Sequence, residues 1–217
     1  RDVGRTAHAV IGIARVRTAE GERFALYDPG ADTGAERVAM LDPQPVDWPA
    51  ALAQLHGLAD AARAANWLSA DVVEFLPPAG PGTRVICVAR NYADHAREQG
   101  TAEAPSAPVL FLKPLSALVG HRQPTVLPAV TSFLDWEAEL AVVVGAHLLE
   151  ASADEARAAI AGFTIANDGS ARDLQPIDFG GREIVDWFSA KSLDRSSALG
   201  PAVFPAARVS RPEDLRI

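Results

Sequence analysis

The chain has 217 residues, of which 48% are hydrophobic and 22% charged, the balance of an ordinary globular protein with room for one domain, or one domain and a small appendage. A net charge of −8 argues against nucleic acid or an anionic membrane surface as the main partner. No apolar run approaches the roughly 20 residues needed to span a bilayer, and the single cysteine, Cys87, excludes an internal disulfide and suits a reducing cytoplasm. No secretory leader is visible, although a chain opening at Arg1 leaves room for a removed segment.

Taken in chain order, residues 8–28 predict a hairpin, with "HAVIGIARVRT" and "ERFALYD" flanking a turn around Gly21. "DWPAALAQLHGLADAARAANW" predicts a helix, with Pro49 in its first turn and an apolar stripe of Leu52, Leu55, Ala59 and Ala62. "PPAGPG", residues 77–82, is the strongest linker signal, and it divides an N-terminal region, 1–80, from a second unit, 81–217. There "RVICVA" reads as a short buried strand and "NYADHAREQG" as a helix ended by Gly100. "APVLFLKPLSALVG" reads as a strand entering a loop, and "PTVLP" as another extended piece. "SADEARAAIAGF" predicts a helix with a capping box, Ser152 and Glu155. "GFTIAND" predicts a strand, and "SARDLQ" a helix start with a similar pairing of Ser170 and Asp173. "ALGPAVFP" is extended, and "RPEDLRI" reads as the opening of a further strand.

The chemistry concentrates in "SFLDWEAELAVVVG". Asp135, Glu137 and Glu139 are spaced by two, so a strand aims them to one face. The run behind them is apolar enough to be covered on both faces. Asp168 ends a second apolar strand, where site residues commonly project. Carboxylates gathered in a dry place need a cation. An all-oxygen set selects Mg²⁺, Mn²⁺ or Ca²⁺ over zinc. His95 and Glu98 lie i,i+3 on one helix face, the arrangement of a carboxylate-oriented base for water. Arg172 and Gln175 share the same spacing, and Arg172 has the shape to grip a substrate carboxylate. The chain carries 18 arginines but two lysines, Lys113 and Lys191, both beside apolar residues. A lysine that persists against such a bias points to a need for its compact point charge.

The ordered set "VICVARNYADHAREQG", "PVLFLKPLSALVG", "DWEAELAVVVG", "GFTIANDGSARDLQ", "AKSLD" and "LGPAVF" resembles the fumarylacetoacetate hydrolase family from about residue 84 onward. The resemblance implies an α+β, mainly β, mixed β-sandwich roll, dimeric as a rule, with a small N-terminal α+β region. It implies Glu137, Glu139 and Asp168 as metal ligands for Mg²⁺ or Mn²⁺, and His95 and Glu98 as a water-activating dyad on a lid. It places Arg172, Gln175 and Lys113 around the substrate, with Lys191 catalytic. The expected function is divalent-metal-dependent hydrolysis of a C–C bond in a 1,3-dicarbonyl or acylpyruvate-type oxo acid. A decarboxylase or isomerase of a 2-oxo acid is the alternative, and a non-catalytic binding member of the fold is the alternative of another class. The expected setting is a cytoplasmic homodimer acting on a small molecule, without nucleic acid or membrane. Ala89 stands where the family has Gly, which predicts an altered turn, and Gly169 replaces an apolar residue, which predicts a looser metal loop. Ala190 and Leu193 replace a Gly and a Phe, and the family's C-terminal Thr-Gly-Thr-Pro loop is absent, for which truncation or disorder is the expected reason.

Overall fold

The computed structural model describes residues 10–89 and 107–217. The predicted helix over 91–100, with His95 and Glu98, lies outside the described residues. A nine-stranded sheet dominates, in keeping with the mainly β architecture expected. The predicted hairpin forms as β1 (Gly12–Thr18) and β2 (Gly21–Asp28). Gly21 takes φ 110° at the turn, a conformation that a side chain resists. β3 (Arg37–Met40) and the two-residue β4 (Leu68–Ser69) extend the sheet on one side. On the other side β1 pairs antiparallel with β15 (Ser197–Pro205). β15 in turn pairs with β11 (Ile160–Asn167), and β11 with β10 (Ala138–Val144). β5 (Glu74–Leu76) pairs with β1 and β8 (Leu118–Val119) with β15, while β12 (Ser170–Ala171), β13 (Pro176–Asp178) and β14 (Glu183–Val185) lie outside this sheet, so strands from before and after residues 77–82 share it.

The core sits on the two faces of this central sheet. Ile13, Leu26, Leu41 and Val203 meet Leu52, Leu55 and Leu58 on one face, and Val16, Tyr27, Val38 and Phe75 pack together on the other. The long helix expected over 47–67 is broken into α1 (Trp48–Leu52), a 3₁₀ turn (Ala53–Gly57) and α2 (Leu58–Ala64). Leu52, Leu55 and Leu58 are spaced by three, and a 3₁₀ turn stacks such residues on one side, so all three are buried while Ala59 is exposed. Asp47 caps α1 by accepting from the Ala50 amide at 2.9 Å, and Pro49 occupies the first turn.

Other expectations are corrected by tertiary contacts. β6 (Val85–Ala89) pairs with β7 (Val109–Lys113), but Ile86, Val88, Leu110 and Leu112 are exposed on one face, so "RVICVA" is not buried on both sides. Val142 and Val144 are exposed too, so β10 also lacks the double cover its apolar run predicts. No strand forms at 124–128. The terminal "RPEDLRI" forms a 3₁₀ turn at Pro212–Asp214, where Pro212 supplies no amide for a strand ladder. The capping box at Ser152 and Glu155 is present on α3 (Ala153–Ala158). That at Ser170 and Asp173 is not: Ser170 donates to the Asp168 carbonyl at 2.8 Å, and Asp173 accepts from Thr131 and from the Ser132 amide.

Candidate metal centre

The acidic stretch is not one straight strand. β9 (Leu134–Asp135) ends before Trp136, and β10 begins at Ala138. Two backbone ties bring this junction to the end of β11. The Glu137 amide donates to Asn167 Oδ1 at 2.9 Å, and the Asp168 amide donates to the Glu137 carbonyl at 2.8 Å. Glu137, Glu139 and Asp168 each offer one carboxylate oxygen, and these oxygens lie within 4.8 Å of one another. Asp135, spaced as a fourth member of the set, turns away and accepts from Arg172 Nε at 3.0 Å. Asn167 escaped sequence reasoning because a polar side chain at a strand end carries no mark of the amide it will meet.

The cluster is partly buried, with Asp168 fully so, and crowded with charge. Burial, then the neighbouring Asp168 and Glu137, pushes the Glu139 carboxyl up to about 7, against the pull of both lysines. Lys191, at the end of α4 (Trp187–Lys191), donates to Glu137 Oε2 at 2.5 Å and to Asp168 Oδ2 at 2.7 Å. Lys113, at the end of β7, places its ammonium 2.8 Å from Asp168 Oδ1. The approach is off the hydrogen-bonding direction, so Asp168 Oδ1 is buried without a hydrogen bond among the described residues. A close trio of carboxylates, one with a buried oxygen that accepts no hydrogen bond among the described residues, fits a divalent cation, and the all-oxygen chemistry suits Mg²⁺, Mn²⁺ or Ca²⁺.

The remaining predicted residues are distributed around this centre. Arg172 Nη2 donates to Glu137 Oε1, so its guanidinium joins Asp135 to a member of the trio. Gln175 ends the 3₁₀ turn begun by Arg172, and its carbonyl accepts from the Asp186 amide at 2.8 Å. The Lys113 ammonium is turned into the protein, where it donates to Ser197 Oγ at 2.9 Å and to the Lys191 carbonyl. Phe111 lies 5.4 Å from the Lys191 ammonium and stacks on Trp187, walling that side of the cation. Ala190 is fully buried. Ala89 lies in β6 without positive φ, so the altered turn expected there is not required. Gly169 does not loosen the loop: a Cβ there would lie 2.0 Å from the Ser196 carbonyl oxygen, so the metal loop and the segment before β15 touch through it. A separate cleft of about 320 Å³ lies against the side of β10 and β11 that carries Ala138, Ile165 and Asn167. Ala138 and Glu139 are consecutive in β10 and so face opposite sides, which sets this cleft apart from the carboxylates.

The raised Glu139 has a consequence for stability. In the unfolded chain it ionises near 4.5, and in the folded one near 7, so between these values the folded state holds more protons. The metal-free protein therefore loses stability as pH rises through this window. Urea unfolding in chelator at pH 5.5 and 7.5 checks it. The Glu139→Gln variant is expected to lose this part of the pH dependence.

Comparison with known proteins places the chain. A family profile described as fumarylacetoacetate (FAA) hydrolase C-terminal matches residues 84–217. The oxaloacetate tautomerase FAHD2A, mitochondrial, of Bos taurus is 42% identical over 145 residues, covering 67% of this chain and 45% of that protein. The Homo sapiens protein of the same name is 40% identical over the same length. The chain thus spans about 45% of these curated relatives. Among solved structures, a fumarylacetoacetate hydrolase from Exiguobacterium antarcticum aligns with TM-score 0.68 and 29% identity, covering 90% of this chain and 66% of that one. A 2-hydroxyhepta-2,4-diene-1,7-dioate isomerase from Mycobacterium marinum aligns with TM-score 0.63 and 29% identity, covering 90% and 66%. Among the described residues no helix is long and apolar enough to cross a membrane. The profile match over residues 84–217 shows that this chain belongs to the fumarylacetoacetate hydrolase family.

Proposed function

We propose that this chain builds the metal centre of a divalent-cation-dependent enzyme that enolises a 2-oxo acid, with keto–enol tautomerisation of a dicarboxylic 2-oxo acid such as oxaloacetate as its reaction. The observation that carries the reading is the meeting of Glu137, Glu139 and Asp168 within 4.8 Å. A divalent cation bound there, Mg²⁺ or Mn²⁺ before Ca²⁺, supplies a Lewis acid for the adjacent carbonyl and carboxylate oxygens of a 2-oxo acid.

The chain's own residues do the rest. Lys191 brings a buried ammonium to the edge of the trio, where it offsets the negative charge that grows on the substrate oxygen as a proton leaves the neighbouring carbon. Arg172 is the cation shaped for the second carboxylate of a dicarboxylic substrate; Asp135 holds its Nε edge, and its Nη2, which donates to Glu137 in the substrate-free protein, would be exchanged to the substrate. Gln175 adds a polar contact beside it. His95, oriented by Glu98, is the proposed base that moves the proton between carbon and oxygen. The tautomerase names of the Bos taurus and Homo sapiens relatives and the isomerase name of the Mycobacterium marinum neighbour support this choice.

A second reading keeps the same centre and spends His95 on water. The spacing of His95 and Glu98 and the fumarylacetoacetate hydrolase among the neighbours favour C–C hydrolysis of an acylpyruvate or other 1,3-dicarbonyl. Water then adds to the distal carbonyl, and the bond breaks to leave a carboxylic acid and an enolate. Two assays separate the readings: decay of the enol absorbance of oxaloacetate, and cleavage of acylpyruvates, each with Mn²⁺. The first reading predicts enol decay accelerated by about 100-fold or more, with the gain lost in Glu137→Ala. Cleavage of acylpyruvates without any effect on enol decay would transfer the proposal to hydrolysis. A homodimer is the proposed assembly, checked by sedimentation.

A further inference from the structure

The two lysines of the chain reach different oxygens of the same carboxylate and in different ways. Lys113 lies beside Asp168 Oδ1, at 2.8 Å, and Lys191 donates to Asp168 Oδ2, at 2.7 Å. Both ammonium groups are buried, with side chains 2% and 3% exposed.

Their other partners differ in kind. The Lys113 ammonium donates to Ser197 Oγ at 2.9 Å, to the Lys191 carbonyl, and at 3.5 Å to the Gly169 carbonyl. These are parts of the framework: the start of β15, the end of α4 and the loop after β11. The Lys191 ammonium instead donates to two carboxylates of the trio, at 2.5 Å to Glu137 Oε2 and at 2.7 Å to Asp168 Oδ2. It sits between two of the three groups that a divalent cation would join. A divalent cation held by the same two carboxylates would compete with this ammonium for their negative charge.

From this contrast we infer that the lysines divide the work of the centre. Lys113 is a positioning residue that pins Asp168 and its loop whether or not metal is present. Lys191 is an exchangeable ammonium that holds Glu137 and Asp168 together in the metal-free protein and is displaced from them as the divalent cation enters. This inference rests on the reading of the trio as a metal centre.

Electrostatics alone predicts something else. Each lysine puts one positive charge within 3 Å of Asp168, so removing either should tighten cation binding, with the same sign. Divided roles predict opposite signs. In Lys191→Met no ammonium has to be displaced, and affinity for Mn²⁺ rises by about tenfold. In Lys113→Met the Asp168 loop loses its anchor, and affinity falls by about tenfold in spite of the lost repulsion. Ser197→Ala removes one partner of that anchor and lowers affinity by a smaller factor, about threefold.

The experiment is calorimetric titration of Mn²⁺ into the metal-stripped protein and these three variants, each first shown to be folded by thermal melting in chelator. Opposite shifts in the two lysine variants, with Ser197→Ala following Lys113→Met, are the expected result. Shifts of the same sign would overturn the division. If Lys113→Met does not fold, Ser197→Ala carries its arm, and unchanged or tighter binding there overturns the positioning role. Wild-type protein that takes up no Mn²⁺ sinks the metal reading itself, whereas wild-type binding with same-sign variants sinks only this inference.

Discussion

Asp168→Ala is expected to abolish divalent-cation binding and to destabilise the metal-free protein by about 3–5 kcal/mol, the cost of breaking a buried ion pair by removing one partner. Asp168 is 3% exposed and is the common partner of Lys113 and Lys191. Without it, among the described residues, Lys191 keeps Glu137 as its one hydrogen-bonded carboxylate, and Lys113 donates to neutral oxygens alone. Two buried ammonium groups would then share too little negative charge, and water would have to enter or the lysines deprotonate. Asp168→Asn preserves the volume and some hydrogen bonding, so it should retain more stability than alanine while still losing metal. Urea unfolding in chelator reads the stability and calorimetry the metal. Wild-type stability for Asp168→Ala would mean that the lysines do not depend on this carboxylate.

Gly169→Ala is expected to cost about 3 kcal/mol, at the upper end of overpacking penalties, and to lower the melting temperature by roughly 6–12 °C. The reason is contact rather than conformational freedom. A methyl group there would lie 2.0 Å from the Ser196 carbonyl oxygen and 3.3 Å from Ser197 Oγ, the hydroxyl that Lys113 engages. Relief requires the metal loop to move away from β15, which carries Asp168 with it. Metal affinity should therefore fall together with stability. A substitution tolerated with both quantities unchanged would show that the loop yields without disturbing the centre. Cβ clash with backbone, not with a flexible side-chain tip, is what makes this glycine different from the open turn at Gly21, where nothing lies within 4 Å.

What the sequence made legible follows a physical division. The β1–β2 hairpin, the Asp47–Pro49 helix start and the Ser152–Glu155 capping box depend on residues a few positions apart, and each forms as its local pattern predicts. The Ser170–Asp173 pair has the same local pattern and fails, because Asp173 meets Thr131 and Ser132 some forty residues upstream. The predicted long helix is broken so that Leu52, Leu55 and Leu58 can all reach the core. In the site, period-two spacing grouped Asp135, Glu137 and Glu139, and Asp168 stood at the end of another apolar strand; the selection of Glu137, Glu139 and Asp168, the three that gather, came from the family resemblance. The divergence of Asp135 toward Arg172 was not legible, since it depends on the chain leaving the strand between Asp135 and Ala138. Nor was the inward turn of Lys113, whose partners Ser197 and the Lys191 carbonyl come from elements about eighty residues further along.

The most direct test of the account is titration of Mg²⁺ and Mn²⁺ into the metal-stripped protein by calorimetry, with and without oxalate, whose paired oxygens mimic those of a 2-oxo acid enolate. One cation is expected to bind, more tightly with oxalate, and Glu137→Ala is expected to bind none in either condition. Absence of binding with and without oxalate, or binding that Glu137→Ala leaves intact, would contradict it and leave Glu137, Glu139 and Asp168 as a structural cluster neutralised by Lys113 and Lys191.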